Sequence, residues 1–201
     1  MWQQYWPVYQ RLEEEFCEFT FSVSLVDDHL CVWSIRLAEL LLRACQECEN
    51  AAKTLLQDLS PSTPKTEELN FPGLGNRLCQ NIALSNKTVE LVWIYQSLSE
   101  RSVMPFQAWN LSSSTNPSWY KAYNGMKHDR NANIKQANYR NVLDALAGLF
   151  ILNLWLRKKD IESGSTPRIL ANGKLAAYSK LFDPSSFIQI RGGNTTTMIF
   201  R

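Results

Sequence analysis

The amphipathic segment between residues 32 and 59 is the feature that most constrains how this chain can fold. Its apolar residues recur at three- and four-residue intervals, which is the spacing of one face of an α-helix. That face comprises Leu37, Leu40, Leu41, Ala44, Cys45, Cys48, Ala51, Ala52 and Leu55. Pro61 and Pro64 end the pattern, because proline cannot continue a helical hydrogen-bond ladder. The segment predicts a long helix with one side packed against other elements.

The same periodicity predicts further helices on both sides of this one. They are placed at residues 2–19, 86–100, 117–128 and 133–158. Asn116 and Pro117 suit the start of the third of these, as an N-cap followed by a first-turn proline. Residues 20–25 alternate and are expected to be extended, and loops are expected after Ser60 and over residues 101–116.

The texture of the sequence changes after Gly164. The stretches SFIQIR and NTTTMIF alternate and are rich in isoleucine and threonine, and Gly192 and Gly193 lie between them. This pattern predicts a β-hairpin within a C-terminal extension, residues 166–201. The predicted fold is therefore mainly α: one domain over residues 1–201, built as an up-and-down bundle of about five helices with a small C-terminal β-hairpin.

Charge and hydropathy limit the function classes. The chain has 21 Lys and Arg residues against 19 Asp and Glu, a net charge of +2, so any polyanion site must be local. The N-terminal sequence MWQQYWPVYQRLEEEF has neither the basic nor the apolar region of a signal peptide. The longest apolar run, Val142 to Leu156, is too short to span a bilayer. We expect a cytoplasmic protein with no membrane partner.

Cofactor and metal motifs are weak throughout the sequence. The five cysteines are an odd number in helical or apolar surroundings, which is typical of reduced thiols. Cys45 and Cys48 have CxxC spacing but no second ligand pair, so two core thiols are expected there and not a zinc site. The glycines between Gly73 and Asn76 lack the third glycine and the lysine of a phosphate loop. No metal site and no cofactor are predicted.

The stretch WYKAYNGMKHDR, which begins at Trp119, carries the most chemistry. Asn124 and His128 are four residues apart and so share one helix face. Lys127 and Arg130 place two permanent cations within a turn of the imidazole. These four residues predict a local site that favours anions.

Polar residues in the following helix have two interpretations. Asn138, Asn141 and Asp144 either satisfy neighbouring helix ends, or face the preceding helix across an antiparallel helical hairpin and line a cleft with His128. The aromatic residues have two interpretations as well. Trp119 and Tyr123 either belong to the core or form a platform on which bases stack.

Residues 117–156, with Asn124 and His128 at the polar and histidine positions of a short motif, resemble the HEPN superfamily of small helical-bundle domains. The resemblance implies a helical bundle, a homodimer, and a place in prokaryotic defence or toxin–antitoxin systems. Many members are metal-independent ribonucleases that pair an arginine with the histidine across a dimer interface. Here Tyr123 stands at the arginine position, so the catalytic pair is incomplete.

Three functions follow from these residues. The first is a HEPN-like module that binds RNA, a nucleotide or a partner protein without classical catalysis, which Tyr123 favours. The second is a ribonuclease in which His128 acts as base and acid, Lys127 or Arg130 stabilises the phosphorane charge, and Asn124 orients the phosphate or the imidazole. The third is a structural dimerisation domain, in which His128 would be buried and neutral.

Overall fold

The computed structural model describes residues 4–61, 69–92, 97–111, 115–162, 179–183, 188–191 and 197–200, and most of these are helical. The helices are α1 (Tyr5–Ser22), α2 (Ile35–Leu59), α3 (Phe71–Ile82), α4 (Ala108–Leu111), α5 (Ser118–His128), α6 (Arg130–Asn133), α7 (Tyr139–Leu156) and α8 (Lys158–Glu162). Short 3-10 turns cover Asp27–His29, Leu84–Asn86 and Ile134–Gln136.

Helices α2 and α7 form the centre of the bundle. In α7, 16 of the 18 residues are buried, so this helix is surrounded by protein on all sides. The two helices begin at the same end of the molecule, because Tyr139 N donates to Val32 O at 3.0 Å and Arg140 N donates to Leu30 O at 3.1 Å. Farther along, the Cys48 thiol contacts Ala145 O at 3.5 Å.

Helix α1 packs on this pair through aromatic side chains. The ring of Tyr9 lies 5.4 Å from that of Phe150, and the rings of Phe16 and Phe19 lie 5.5 and 5.3 Å from that of Tyr139. The C-terminal part of α1 therefore lies beside the start of α7. Since aromatic side chains bury large apolar areas, these contacts are a main source of stability for the three-helix centre.

Two small antiparallel sheets complete the described chain. In the first, β1 (Val89–Leu91) lies between β2 (Ser102–Val103) and β3 (Phe182–Asp183). In the second, β4 (Ile188–Arg191) pairs with β5 (Thr197–Phe200) over four residues, from Ile188 opposite Phe200 to Arg191 opposite Thr197. The second sheet confirms the predicted C-terminal hairpin, whereas the first was not predicted.

The mainly α prediction is confirmed. Five of the described helices are 11 or more residues long, namely α1, α2, α3, α5 and α7. Cys45 and Cys48 are fully buried free thiols, and burial raises the pKa of both well above the ordinary value. Over the described ranges, no helix has the length and apolar character needed to cross a membrane.

Several element predictions were wrong. Residues 86–100 were predicted to be a helix, but they contain β1, which pairs with strands distant in sequence. Residues 20–25 were predicted to be extended, but α1 continues to Ser22. The loop predicted after Ser60 contains α3, and the loop predicted over residues 101–116 contains β2 and α4. Helix α7 begins at Tyr139 and not at residue 133, because Asn138 caps it.

Candidate functional site

Helix α5 places its aromatic residues inside the protein. Trp119 is only 1% exposed, and its indole Nε1 donates to Pro105 O at 2.8 Å. Tyr123 is 3% exposed and its hydroxyl donates to Gln46 Oε1 at 3.3 Å. In this conformation neither ring is presented to solvent, so neither can stack with a base.

Tyr120, a second tyrosine of α5, connects this helix to α2 through a hydrogen bond. Tyr120 OH donates to Glu49 Oε1 at 2.6 Å, and burial followed by this bond raises the Tyr120 pKa well above its ordinary value. Burial and then the charge of Glu49 raise the pKa of Tyr123 to about 12. Both phenols are therefore protonated donors at neutral pH, and neither supplies a charge. Asn124, half-buried beside them, hydrogen-bonds Tyr120.

The opposite side of this region is basic and exposed. We define the basic face as Lys127, His128, Arg130 and Lys135, all of which are exposed. Lys127 Nζ lies 5.7 Å from the centre of the Tyr123 ring. Across the described chain, His128, Arg130 and Lys135 have no side-chain hydrogen bond or ion pair, so these side chains are free to contact an outside ligand. Lys135 was not singled out from the sequence, because its exposure depends on the turn that precedes α7.

Asp129, the acidic residue in the same stretch of sequence as the basic face, is engaged locally. Asp129 Oδ1 accepts a hydrogen bond from Ala132 N at 3.1 Å and so caps α6. Lys127 and His128 occupy the last turn of α5, where cations interact favourably with the helix dipole. The stretch from residue 127 to residue 135 therefore contains three permanent cations and one acidic residue, Asp129.

Asn138 and Asn141 make local contacts at the start of α7. Asn138 Oδ1 accepts from Asn141 N at 3.1 Å, which is an N-cap, and Asn141 Nδ2 donates to Gln136 O at 2.8 Å. These hydrogen bonds satisfy groups at a helix end, which is what one of the two interpretations of the sequence expected. The described residues include no hydrogen bond from His128 to either asparagine.

Asp144 is a buried carboxyl paired with arginine. It is 8% exposed, and Arg140 Nε lies 3.1 Å from its Oδ1 and 3.2 Å from its Oδ2. Arg140 Nη1 also donates to Glu100 Oε2 at 3.0 Å. Burial raises the pKa of Asp144 to about 6, although Arg140 lowers it, and Glu100 adds a smaller increase. Sequence reasoning missed Arg140, which lies one helical turn before Asp144.

Asp144 lines a cavity of about 520 Å³ between the start of α5, the segment that contains α4, and α7. We call it the Asp144 cavity. Its lining residues are Met104, Pro105, Gln107, Ala108, Asn110, Thr115, Asn116, Pro117, Ser118, Trp119, Lys121, Arg140 and Asp144. The volume falls within the range of small-molecule sites. Sequence reasoning also missed Lys121, the one lysine among these lining residues.

The predicted site residues thus fall into two groups. Asp144 lies with residues of the first turn of α5, whereas His128 is the last residue of that helix. Lys121 and His128 are seven positions apart, a rise of about 10 Å along the helix axis. His128 therefore lies at the end of α5 far from Asp144 and is not among the residues that line the Asp144 cavity.

The raised pKa of Asp144 predicts a pH-dependent stability. Its folded value of about 6 lies above its ordinary value of 3.8, so the folded state binds the proton more tightly. Stability from this group is present below pH 4 and is lost as the pH rises through 6. Relative to the wild type, Asp144→Asn should gain about 2 kcal/mol between pH 4 and pH 7. Urea unfolding at both pH values measures this difference, and an unchanged difference would contradict the burial of a charged carboxylate.

Other chemistry is sparse. Within the residues that the structure describes, no group of three or more His, Cys, Asp or Glu side chains is placed to hold a metal ion. Comparisons with protein-family models, with curated proteins and with solved structures find no match to this chain. Function is therefore argued from two groups of residues, the basic face and the lining of the Asp144 cavity.

Proposed function

We propose that this protein is a HEPN-like helical module that binds RNA through the basic face, without classical catalysis. One observation carries the proposal: three permanent cations and one imidazole lie exposed within nine residues. Three of them, His128, Arg130 and Lys135, have no ion-pair partner among the described residues. Unpaired exposed cations are the groups that phosphate backbones contact.

The distribution of charge supports this proposal. Residues 127–135 contain three of the 21 Lys and Arg residues and one of the 19 Asp and Glu residues. The remaining 18 basic and 18 acidic residues balance, so this segment accounts for the net charge of +2. A polyanion approaching the protein is attracted to this segment more than to the average surface.

The buried aromatic residues define the kind of RNA binding. Because Trp119 and Tyr123 face the core, base stacking on them does not contribute. Binding therefore rests on phosphate contacts and is expected to be sensitive to salt and tolerant of sequence. The HEPN resemblance supports RNA over an acidic partner protein as the ligand.

The test is fluorescence anisotropy with a labelled single-stranded RNA of mixed sequence. A variant with Lys127→Ala, Arg130→Ala and Lys135→Ala is expected to bind at least about tenfold more weakly than the wild type, because three phosphate contacts are lost. The matched control carries Arg77→Ala, Arg101→Ala and Lys159→Ala, three exposed cations elsewhere. It changes net charge equally and should bind like the wild type. Equal loss in both variants would contradict a local site.

A second candidate function is metal-independent RNA cleavage, and the exposure of His128 between Lys127 and Arg130 favours it. An imidazole there can take the proton of the ribose 2′-hydroxyl while that oxygen attacks phosphorus. It can then protonate the departing 5′-oxygen, which leaves a cyclic phosphate. A second copy of the chain would supply a second imidazole. Against this, Tyr123 holds the family's arginine position as a buried, uncharged phenol.

One assay distinguishes RNA cleavage from RNA binding without cleavage. Wild type and His128→Ala are incubated with the labelled RNA in the presence of a metal chelator, and the products are resolved by size. We expect no cleavage by the wild type and binding by both proteins. Cleavage that depends on His128 would replace the binding function with the ribonuclease. Absence of both cleavage and binding would leave the structural dimerisation domain.

A further inference from the structure

Two buried acceptors of the Asp144 cavity have no donor. Asn116 Oδ1 and Asp144 Oδ1 are both buried, and neither accepts a hydrogen bond from any described residue. Arg140 Nε donates its single hydrogen to Asp144 Oδ2, which leaves Oδ1 with an ionic contact only. Buried acceptors without donors are uncommon and costly. These two atoms therefore indicate a ligand that supplies N–H or O–H groups.

The start of α5 places donors at the same cavity. Pro117 is the N-cap and provides no side-chain cap, and the N–H groups of the lining residues Ser118 and Trp119 make no hydrogen bond within the described chain. Lys121, one turn farther on, is exposed and has no ion-pair partner in those residues. Helix α5 is 11 residues long, and its positive dipole end adds to these donors. This side of the cavity suits a carboxylate.

The acceptors and the donors are close together in the chain. Asn116 is two residues before Ser118, and both line the cavity. A ligand that satisfies both residues therefore needs a cationic donor group beside an anionic acceptor group. An α-amino acid has this arrangement, because its ammonium and its carboxylate are attached to the same carbon. The ammonium has three donors and no acceptor, which matches a pair of acceptor atoms.

The charges around the cavity favour a zwitterion over an anion. Arg140 pairs with both Asp144 and Glu100, and Lys121 adds a second cation. Burial raises the pKa of Asp144 to about 6, so at pH 7 this carboxyl is mostly ionised and the four side chains carry no net charge. A ligand with one positive and one negative group keeps that balance. A simple anion would add repulsion from the two carboxylates.

The cavity is larger than the two charged groups of an amino acid require. Its volume is about 520 Å³, and the lining includes the apolar Met104 and Pro105 together with the polar Gln107 and Asn110. The space that remains suits a long side chain, because small-molecule sites enclose most of the ligand that they bind.

We propose that the Asp144 cavity binds a free α-amino acid with a long side chain. The carboxylate accepts from the N–H groups at the start of α5 and from Lys121. The ammonium donates to Asn116 and Asp144, and the side chain extends along Met104. This assignment is independent of RNA binding at the basic face, so either function can fail without the other.

Isothermal titration calorimetry at pH 7 with L-methionine and L-glutamine tests the site. The two side chains are similar in length and differ in the polarity of their ends. Each amino acid is compared with its methyl ester and with the analogue that lacks the amino group. We expect the wild type to bind at least one of the two amino acids, and to bind its two analogues at least about tenfold more weakly, because each analogue loses charge-assisted hydrogen bonds. Binding of neither amino acid would overturn the proposal.

Two variants examine the two ends of the ligand separately. Lys121→Ala should weaken binding of the amino acid and leave the methyl ester unaffected, since the ester has no carboxylate. Asp144→Asn keeps the size of the side chain and removes its charge. It should weaken binding of the amino acid and leave the analogue without an amino group unaffected. Arg77→Ala, an exposed control on α3, should match the wild type.

Thermal unfolding shows whether each variant is folded before it is titrated. A general effect on the fold would weaken the amino acid and both analogues to the same extent. That result, or unchanged amino acid binding by Lys121→Ala and Asp144→Asn, would overturn the proposal. The opposite responses to the ester and to the analogue without an amino group are the result that supports it.

Discussion

Glu13→Ala is expected to lower the free energy of unfolding by about 3 kcal/mol, one of the two largest effects predicted for this protein. Glu13 is 3% exposed, and its Oε1 accepts from Tyr9 OH at 2.7 Å, from Lys180 N at 3.0 Å and from Leu181 N at 3.2 Å. The hydroxyl of Ser179 donates to the same oxygen. Alanine would leave these donors buried without their acceptor.

This carboxylate connects α1 to a segment more than 160 residues away. Leu181 O in turn accepts from Val92 N, and Phe182 belongs to β3, so losing Glu13 should loosen the three-stranded sheet as well. Glu14→Ala is the matched control, since the Glu14 side chain is 46% exposed and, among the described residues, pairs only with Arg11 and Lys180. Such pairs contribute about 1 kcal/mol or less. Chemical unfolding of both variants measures the difference. Equal losses of stability would contradict the role of Glu13 as the acceptor that connects α1 to this distant segment.

Gly75→Ala is expected to destabilise the protein by about 2 to 3 kcal/mol. A Cβ at position 75 would overlap the indole ring of Trp109, which is 6% exposed. That ring cannot easily move, because it stacks on Phe106 at 5.1 Å and contacts Phe71 at 5.3 Å. Helix propensity alone would make the same substitution favourable by about 1 kcal/mol, so packing is expected to reverse the sign.

Gly73→Ala provides the comparison within the same helix. Its Cβ would lie 3.2 Å from Asn70 Oδ1 and 3.4 Å from Leu69 Cδ2, contacts that flexible side chains can relieve. We expect a change within about 1 kcal/mol for this variant. Thermal unfolding of both proteins measures the difference. A Gly75→Ala protein as stable as the wild type would show that α3 and Trp109 are not packed as described.

The spacing of apolar residues along the sequence predicted those elements whose structure depends on a single apolar face. The helix predicted from the apolar face of α2 starts three residues before the observed helix and ends at the same residue, Leu59. Helix α3 was missed because Pro72, Gly73 and Gly75 are typical of loops. In the structure Pro72 lies in the first turn after the Asn70 cap, and Gly75 admits Trp109. Tertiary packing here overrides propensity.

The β1 strand shows a second limit of local pattern. Glu90 pairs with Ser102 on one side and with Asp183 on the other, and the second partner is 93 residues away. A three-residue strand has little periodicity of its own, so its neighbours decide its conformation. A single sequence contains no direct record of such distant pairing.

The candidate site was predictable in its chemistry and not in its arrangement. Lys127, His128 and Arg130 were expected to form an anion-favouring group, and they lie exposed close together in the chain. Their separation from Asp144 depends on which turn of α5 meets α7. Packing fixes the contact between the two helices, since Gly148 of α7 lies against Trp119 of α5 as well as Phe106, and sequence spacing alone does not specify it.

The salt dependence of RNA affinity tests the central claim most directly. We would measure binding of one single-stranded RNA between 50 and 200 mM salt, about the range over which phosphate contacts weaken strongly, for the wild type and the basic-face triple variant. If Lys127, Arg130 and Lys135 contact phosphates, the slope of log affinity against log salt should be shallower by about 2 in the variant. Identical slopes for the two proteins would contradict RNA binding at the basic face.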